Sequence, residues 1–121
     1  MKKFRWLLKI SLLALGCFSS SLAWADCAKL NDEANAKAAA RYPRESYSVT
    51  GAGRLYFYSA PSAACRDKNT FVIPGDSLVL YSDYKDWYSV GFFNDKTGNE
   101  AFGWVKPARL KYKGTLGPKE N

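Results

Sequence analysis

Histidine is absent from the 121 residues. The commonest general base is therefore missing, and with it the usual partner of a serine or cysteine nucleophile. Cysteine occurs three times and methionine once. The side chains left to hold a metal are mostly carboxylates, and these show no calcium-loop spacing. One catalytic constellation remains open, a carboxylate pair, from Asp83 with Asp86 or Asp95 with Glu100. The first pair lies in a predicted loop around Tyr84-Lys85, and Asp95 opens a turn in which aspartate bonds its own backbone. Both pairs read as solvated loop acids. The sequence thus points away from an enzyme and calls for no cofactor. Internal repeats and low-complexity segments are also missing.

The apolar run from Trp6 to Phe18 contains five leucines and is flanked by Lys2, Lys3, Arg5 and Lys9. It is too short for a stable bilayer anchor. Ser19, Ser20 and Ser21 follow, then Ala23-Trp24-Ala25, the small-x-small pattern of a cleavage site. Residues 1–25 are expected to be a signal peptide cleaved after Ala25, leaving a periplasmic or secreted protein with no stable membrane insertion. Ala14-Leu15-Gly16-Cys17 is a competing site for lipoprotein processing, weakened by Ala14 where leucine is usual.

Either route leaves Cys27 and Cys65 as the two thiols able to pair. In an oxidising compartment an even count implies a disulfide, which in so small a domain contributes about 2–4 kcal/mol. All 11 acidic residues lie beyond residue 25 but four of the 18 basic ones do not, so the net charge falls from +7 to +3, 14 against 11. That balance is ordinary and gives no reason to expect a nucleic-acid partner.

About 96 residues then remain, enough for one core. Asp26 is a good N-cap, and the alanine-rich stretch from Cys27 to Arg41 reads as a helix that Pro43 stops. Cys27, Leu30, Ala34 and Ala38 share one face, poor in apolar area, so the helix is expected to need the disulfide to stay docked. From Tyr47 onward the pattern changes to short β-rich runs at Arg54–Tyr58, Ser77–Tyr81, Trp87–Phe93 and Glu100–Val105. Turns are expected at Pro74-Gly75-Asp76 and Asp95-Lys96-Thr97-Gly98. Alternation sets Leu55 and Phe57 against Tyr56 and Tyr58, groups Leu78 with Leu80, and groups Tyr88, Val90 and Phe92. Gly91 and Gly103 are expected at close strand crossings or a bulge. Residues 114–121, with glycine, proline and charge, are expected to form a disordered tail.

Three segments together carry a resemblance to the bacterial Src homology 3 (SH3) domains over about residues 50 to 113. Leu55-Tyr56-Phe57-Tyr58-Ser59-Ala60-Pro61 resembles the opening strand of that family. Gly75-Asp76-Ser77-Leu78-Val79 with Trp87-Tyr88-Ser89-Val90 resembles its central strands, and Gly103-Trp104-Val105-Lys106 with Leu110 its closing strands. The resemblance implies a mainly β fold, a small five-stranded SH3-like barrel over residues 47–113, preceded by the disulfide-tethered helix over 26–46.

The resemblance also implies a ligand groove built from Tyr56, Tyr58 and Trp87. Tyr84 and Arg109 complete the candidate ligand-binding set. Trp87, Trp104 and seven of the eight tyrosines lie in the barrel region, more than so small a core encloses, so some must reach the surface. They either form the groove or cover barrel edges. Lys106 and Arg109 stand where the eukaryotic motif has proline and tyrosine, which argues against proline-rich ligands. The bacterial family implies two partners, a periplasmic protein or a peptidoglycan peptide. A free-standing module is expected to act on a protein, as an inhibitor or immunity protein against a cell-wall-acting hydrolase or toxin. The alternative is an accessory peptidoglycan-binding protein.

Overall fold

The computed structural model describes residues 19–117, with side chains from Asp26 onward. The lipoprotein site at Cys17 and most of the expected signal segment lie outside the described residues, as do residues 118–121 of the expected tail.

Helix α1 (Ser19–Lys37) leads into seven strands: β1 (Ala39–Val49), β2 (Leu55–Tyr58), β3 (Arg66–Val72), β4 (Ser77–Tyr84), β5 (Trp87–Phe93), β6 (Glu100–Val105) and β7 (Leu110–Leu116). All pair antiparallel in one sheet of order β3-β2-β6-β5-β4-β1-β7. This corrects the expected five-stranded barrel: the hydrogen-bonded order has seven strands and ends at β3 and β7 rather than closing. The sheet nevertheless curls around one core. Val49, Phe57, Val72, Leu78, Leu80, Val90 and Val105 are each at most 2 % exposed and form a single cluster. Leu55 of β2 and Leu110 of β7 pack on the same cluster, so strands far apart in the pairing order meet across it. Burial of each large aliphatic side chain contributes roughly 1.5–3 kcal/mol, which favours strong curvature over a flat sheet.

The expected groupings of Leu55 with Phe57, of Leu78 with Leu80, and of Tyr88, Val90 and Phe92 all face this core. Both expected turns form. Asp76 Oδ2 accepts the Ile73 amide at 2.9 Å, with Gly75 at φ 95°. Asn94 organises the longer hairpin, its side chain accepting the amides of Lys96 and Thr97 while Gly98 donates to its carbonyl at 2.8 Å.

Three local expectations are overturned. The helix does not run to Arg41: its last bond is from Ala38 N–H to the Ala34 carbonyl at 2.7 Å, and Asp26 lies inside α1 rather than at its cap. Ala39 and Ala40 pair with Asp83 and Ser82, and Arg41 reaches Asp83 at 3.2 Å. Alanine prefers a helix by only a few tenths of a kcal/mol over most residues, and the strand partner outweighs that preference. Pro43 falls in the irregular stretch of β1, where the register shifts between Ala40 and Glu45. Residues 114–116 are ordered as the end of β7, opposite Arg44, Glu45 and Ser46 of β1. Among the described residues no helix is long and apolar enough to cross a membrane.

Candidate binding surfaces

Alternation on the central strands sends one set of side chains into the core of the curled sheet and the other outward, and α1 lands on the outward set. Trp87 and Trp104 are 8 % and 2 % exposed, beneath Ala34, which is fully buried, and Ala38. Tyr58 and Tyr84 flank them. The Tyr58 and Trp87 rings meet edge to face at 4.9 Å, and the Lys106 ammonium lies 4.8 Å from the indole centre. The Trp104 indole N–H donates to Asn31 Oδ1 at 2.7 Å, which satisfies the one polar atom of an otherwise buried ring. The Cys27–Cys65 disulfide fastens α1 to the 3-10 turn Ala63–Cys65, as the cysteine count implied. The small side chains of Ala34 and Ala38, thin as a hydrophobic stripe, let the helix approach two indoles closely.

The structure therefore brings three of the candidate ligand residues together, with Trp87 buried against the chain's own helix and Tyr58 and Tyr84 half-buried beside it. Trp87 is not an open anchor. Arg109 is elsewhere: its guanidinium donates to the carbonyls of Thr50 (2.8 Å), Gly53 (2.6 Å) and Arg54 (3.0 Å), tying the loop before β2 to the turn before β7. In this position it clamps the two loops together. Gly51, at φ 85°, leaves room for it, since a Cβ there would stand 2.9 Å from Arg109 Nε.

Tyr56 belongs to a different surface. Its ring lies 5.8 Å from that of Phe71, its cross-strand neighbour on β3. Arg66 stacks over Tyr56 at 4.0 Å and Arg54 over Phe71 at 4.2 Å. The guanidiniums of Arg54 and then Arg66 hold the Tyr56 hydroxyl below its ordinary pKa. Beside this stack opens a cavity of about 420 Å³ lined by Ser59, Cys65, Arg66, Asp67, Lys68 and Asn69. The Asp67 carboxylate is occupied within its own turn, accepting the Asn69 amide at 2.9 Å and the Thr70 hydroxyl at 2.8 Å. Those bonds keep its pKa below the usual value.

A second aromatic surface lies on the outer face of β4, β5 and β6. Tyr81 and Phe102 close over Gly91, where a Cβ would come within 2.8 and 3.0 Å of their rings. Phe93 packs edge to face on Phe102 at 5.6 Å, and the Arg44 guanidinium covers Tyr81 at 4.7 Å. Phe93 and Phe102 remain 40 % and 58 % exposed. Sequence reasoning missed this patch. Its signal was the glycine at position 91 flanked in strand register by bulky aromatics.

The carboxylates considered for catalysis sit in different surroundings. Asp83 receives both Nε and Nη2 of Arg41, whose own pKa this raises, while Asp86 is exposed in the β4–β5 turn. Asp95 and Glu100 are exposed at the β5–β6 hairpin. Among the described residues no group of three metal-ligating side chains converges. Comparison of the chain with protein families, curated proteins and solved structures returned no match.

Proposed function

We propose that this chain is an exported, non-catalytic binding protein of the cell envelope, with an SH3-like barrel, that acts on a protein partner. In this reading it serves as an inhibitor or immunity protein against a cell-wall-acting hydrolase or toxin. One observation carries the choice of surface: α1 fills the aromatic groove that a peptide would need, while Tyr81, Phe93, Phe102 and Arg44 stay outside on rigid strands. Aromatic and arginine side chains already held by packing lose little freedom on association and are the residue types that dominate protein interfaces. The disulfide-held helix adds to that preorganisation. Without histidine anywhere, the chain supports occlusion of an enzyme better than chemistry of its own.

The test pairs two measurements on the mature, oxidised protein: capture of partners from envelope extract with an assay of wall lysis by the captured fraction, and co-sedimentation with purified peptidoglycan. The expected result is stoichiometric suppression of lysis, with Phe102→Ala weakening it by about 2 kcal/mol, the scale of an interface anchor. Sedimentation with bare peptidoglycan and undiminished lysis would instead make the chain an accessory wall-binding protein.

A further inference from the structure

The outer face of the β2–β3 hairpin carries two cations whose positions are set by aromatic rings rather than by acidic partners. Arg54 lies over Phe71 and Arg66 over Tyr56, and those two rings neighbour each other across the strand pair. A guanidinium held over a ring keeps five N–H donors, and its planar fork fits a carboxylate with two parallel hydrogen bonds. Ion pairs among the described residues involve Arg41 alone, with Glu45 and Asp83. The acid that lines the cavity with Arg66, Asp67, accepts from the Asn69 amide and the Thr70 hydroxyl and makes no ion pair. Lys68 and Asn69 add donors to the same cavity wall. Neither Arg54 nor Arg66 has an ion-pair partner among the described residues, so two like charges share one aromatic platform, an arrangement that an incoming anion would relieve.

We infer that Arg54 and Arg66, stacked on Phe71 and Tyr56 beside the Ser59–Asn69 cavity, form a binding site for the carboxylates of an acidic partner. This rests on the protein-partner reading above and specifies its chemistry, but the stack lies on different strands from the Phe93–Phe102 patch. A carboxylate bridging both guanidiniums would insert one negative charge between two fixed positive ones. The aromatic platform shields it from water on one side, which strengthens the pairing over that at a bare lysine patch. The same chemistry is available from glutamate and aspartate side chains on a protein and from the free carboxylates of a peptidoglycan stem peptide.

The experiment uses the mature, disulfide-bonded protein and two fluorescent probes: a short glutamate-rich peptide with its glutamine counterpart, and a soluble muropeptide with free stem carboxylates. Expected is saturable binding of the glutamate probe and none of the glutamine one. Arg54→Gln and Arg66→Gln should each weaken binding about tenfold, the scale of a lost charge-assisted pair. Arg66→Lys keeps the charge but loses the flat fork and should weaken binding nearly as much. Lys96→Gln with Lys111→Gln removes as much charge elsewhere and should leave affinity within about twofold. Thermal melts establish that each variant is folded. Equal losses in the lysine control and in R54Q/R66Q, or binding of the glutamine peptide, would overturn the site. Binding of the muropeptide alone, abolished in R54Q/R66Q, would keep the carboxylate site and sink the protein-partner reading. Binding of neither probe would refute the site while leaving that reading to its own lysis assay.

Discussion

Replacing Trp87 by alanine separates a core residue from a ligand anchor. The indole is 8 % exposed in one cluster with Ala34 of α1 and Trp104 of β6, with Tyr58 at 4.9 Å and Lys106 over its face. Truncation removes the transfer energy of the ring and leaves a void that the disulfide-held helix cannot fill by collapsing, a combination that costs roughly 3–5 kcal/mol. For a domain of this length each kcal/mol lowers the melting temperature by roughly 4–8 °C, so the variant should melt roughly 12–40 °C early, near the limit of folding. The helix contribution can be isolated with a double-mutant cycle against Cys27→Ser/Cys65→Ser. Without the tether α1 spends more time undocked, Trp87 is then already wet, and its truncation should cost at least about 0.5 kcal/mol less than in the oxidised protein. Thermal and urea unfolding followed by far-ultraviolet dichroism read both effects. A Trp87→Ala protein melting within a few degrees of wild type, or strict additivity with the cysteine changes, would refute the docked-helix account and return Trp87 to the open groove.

Asn31→Ala should cost about 1–3 kcal/mol by urea unfolding, because the Trp104 indole N–H loses its acceptor inside a closed contact. Arg109→Ala deletes three carbonyl bonds and should lower stability by about 2 kcal/mol while leaving partner affinity unchanged; an affinity loss at intact stability would restore it as a ligand residue. Tyr47 is held protonated above its ordinary pKa, first by burial and then by donation to Glu45 Oε1 at 2.8 Å. Its stabilising effect is complete below an unfolded pKa of about 10 and is lost as pH rises beyond that, when the unfolded phenol ionises and the folded one does not. Alkaline unfolding of Tyr47→Phe should accordingly show a shallower fall above about pH 10 than wild type.

The amino-acid sequence alone determined the local pattern and its two faces. Alternation grouped Leu55 with Phe57, Leu78 with Leu80, and Val90 with Tyr88 and Phe92, without saying which face was core, and the cysteine count named the Cys27–Cys65 bond, because side-chain period and thiol pairing depend on nearest neighbours and on inventory. The helical face of Cys27, Ala34 and Ala38 was legible for the same reason. Three strands were decided only by tertiary structure. Ala39–Val49 begins in alanine, the best helix former, and becomes a strand because β4 and β7 pair with it on both sides. Arg66–Val72 is too polar to announce itself and is held as an edge by β2, and the end of β7 is ordered through residues that read as tail. The candidate site divided in the same way. Alternation separated Tyr56 and Tyr58 from Leu55 and Phe57, but neither which face points outward nor whether it meets solvent followed from it. That depended on where a weakly amphipathic helix docks, a contact Asn31 makes with a residue 73 positions away. No local periodicity encodes such a contact, and it moved Trp87 from surface to interior while leaving Tyr56, Phe71, Phe93 and Phe102 at the surface.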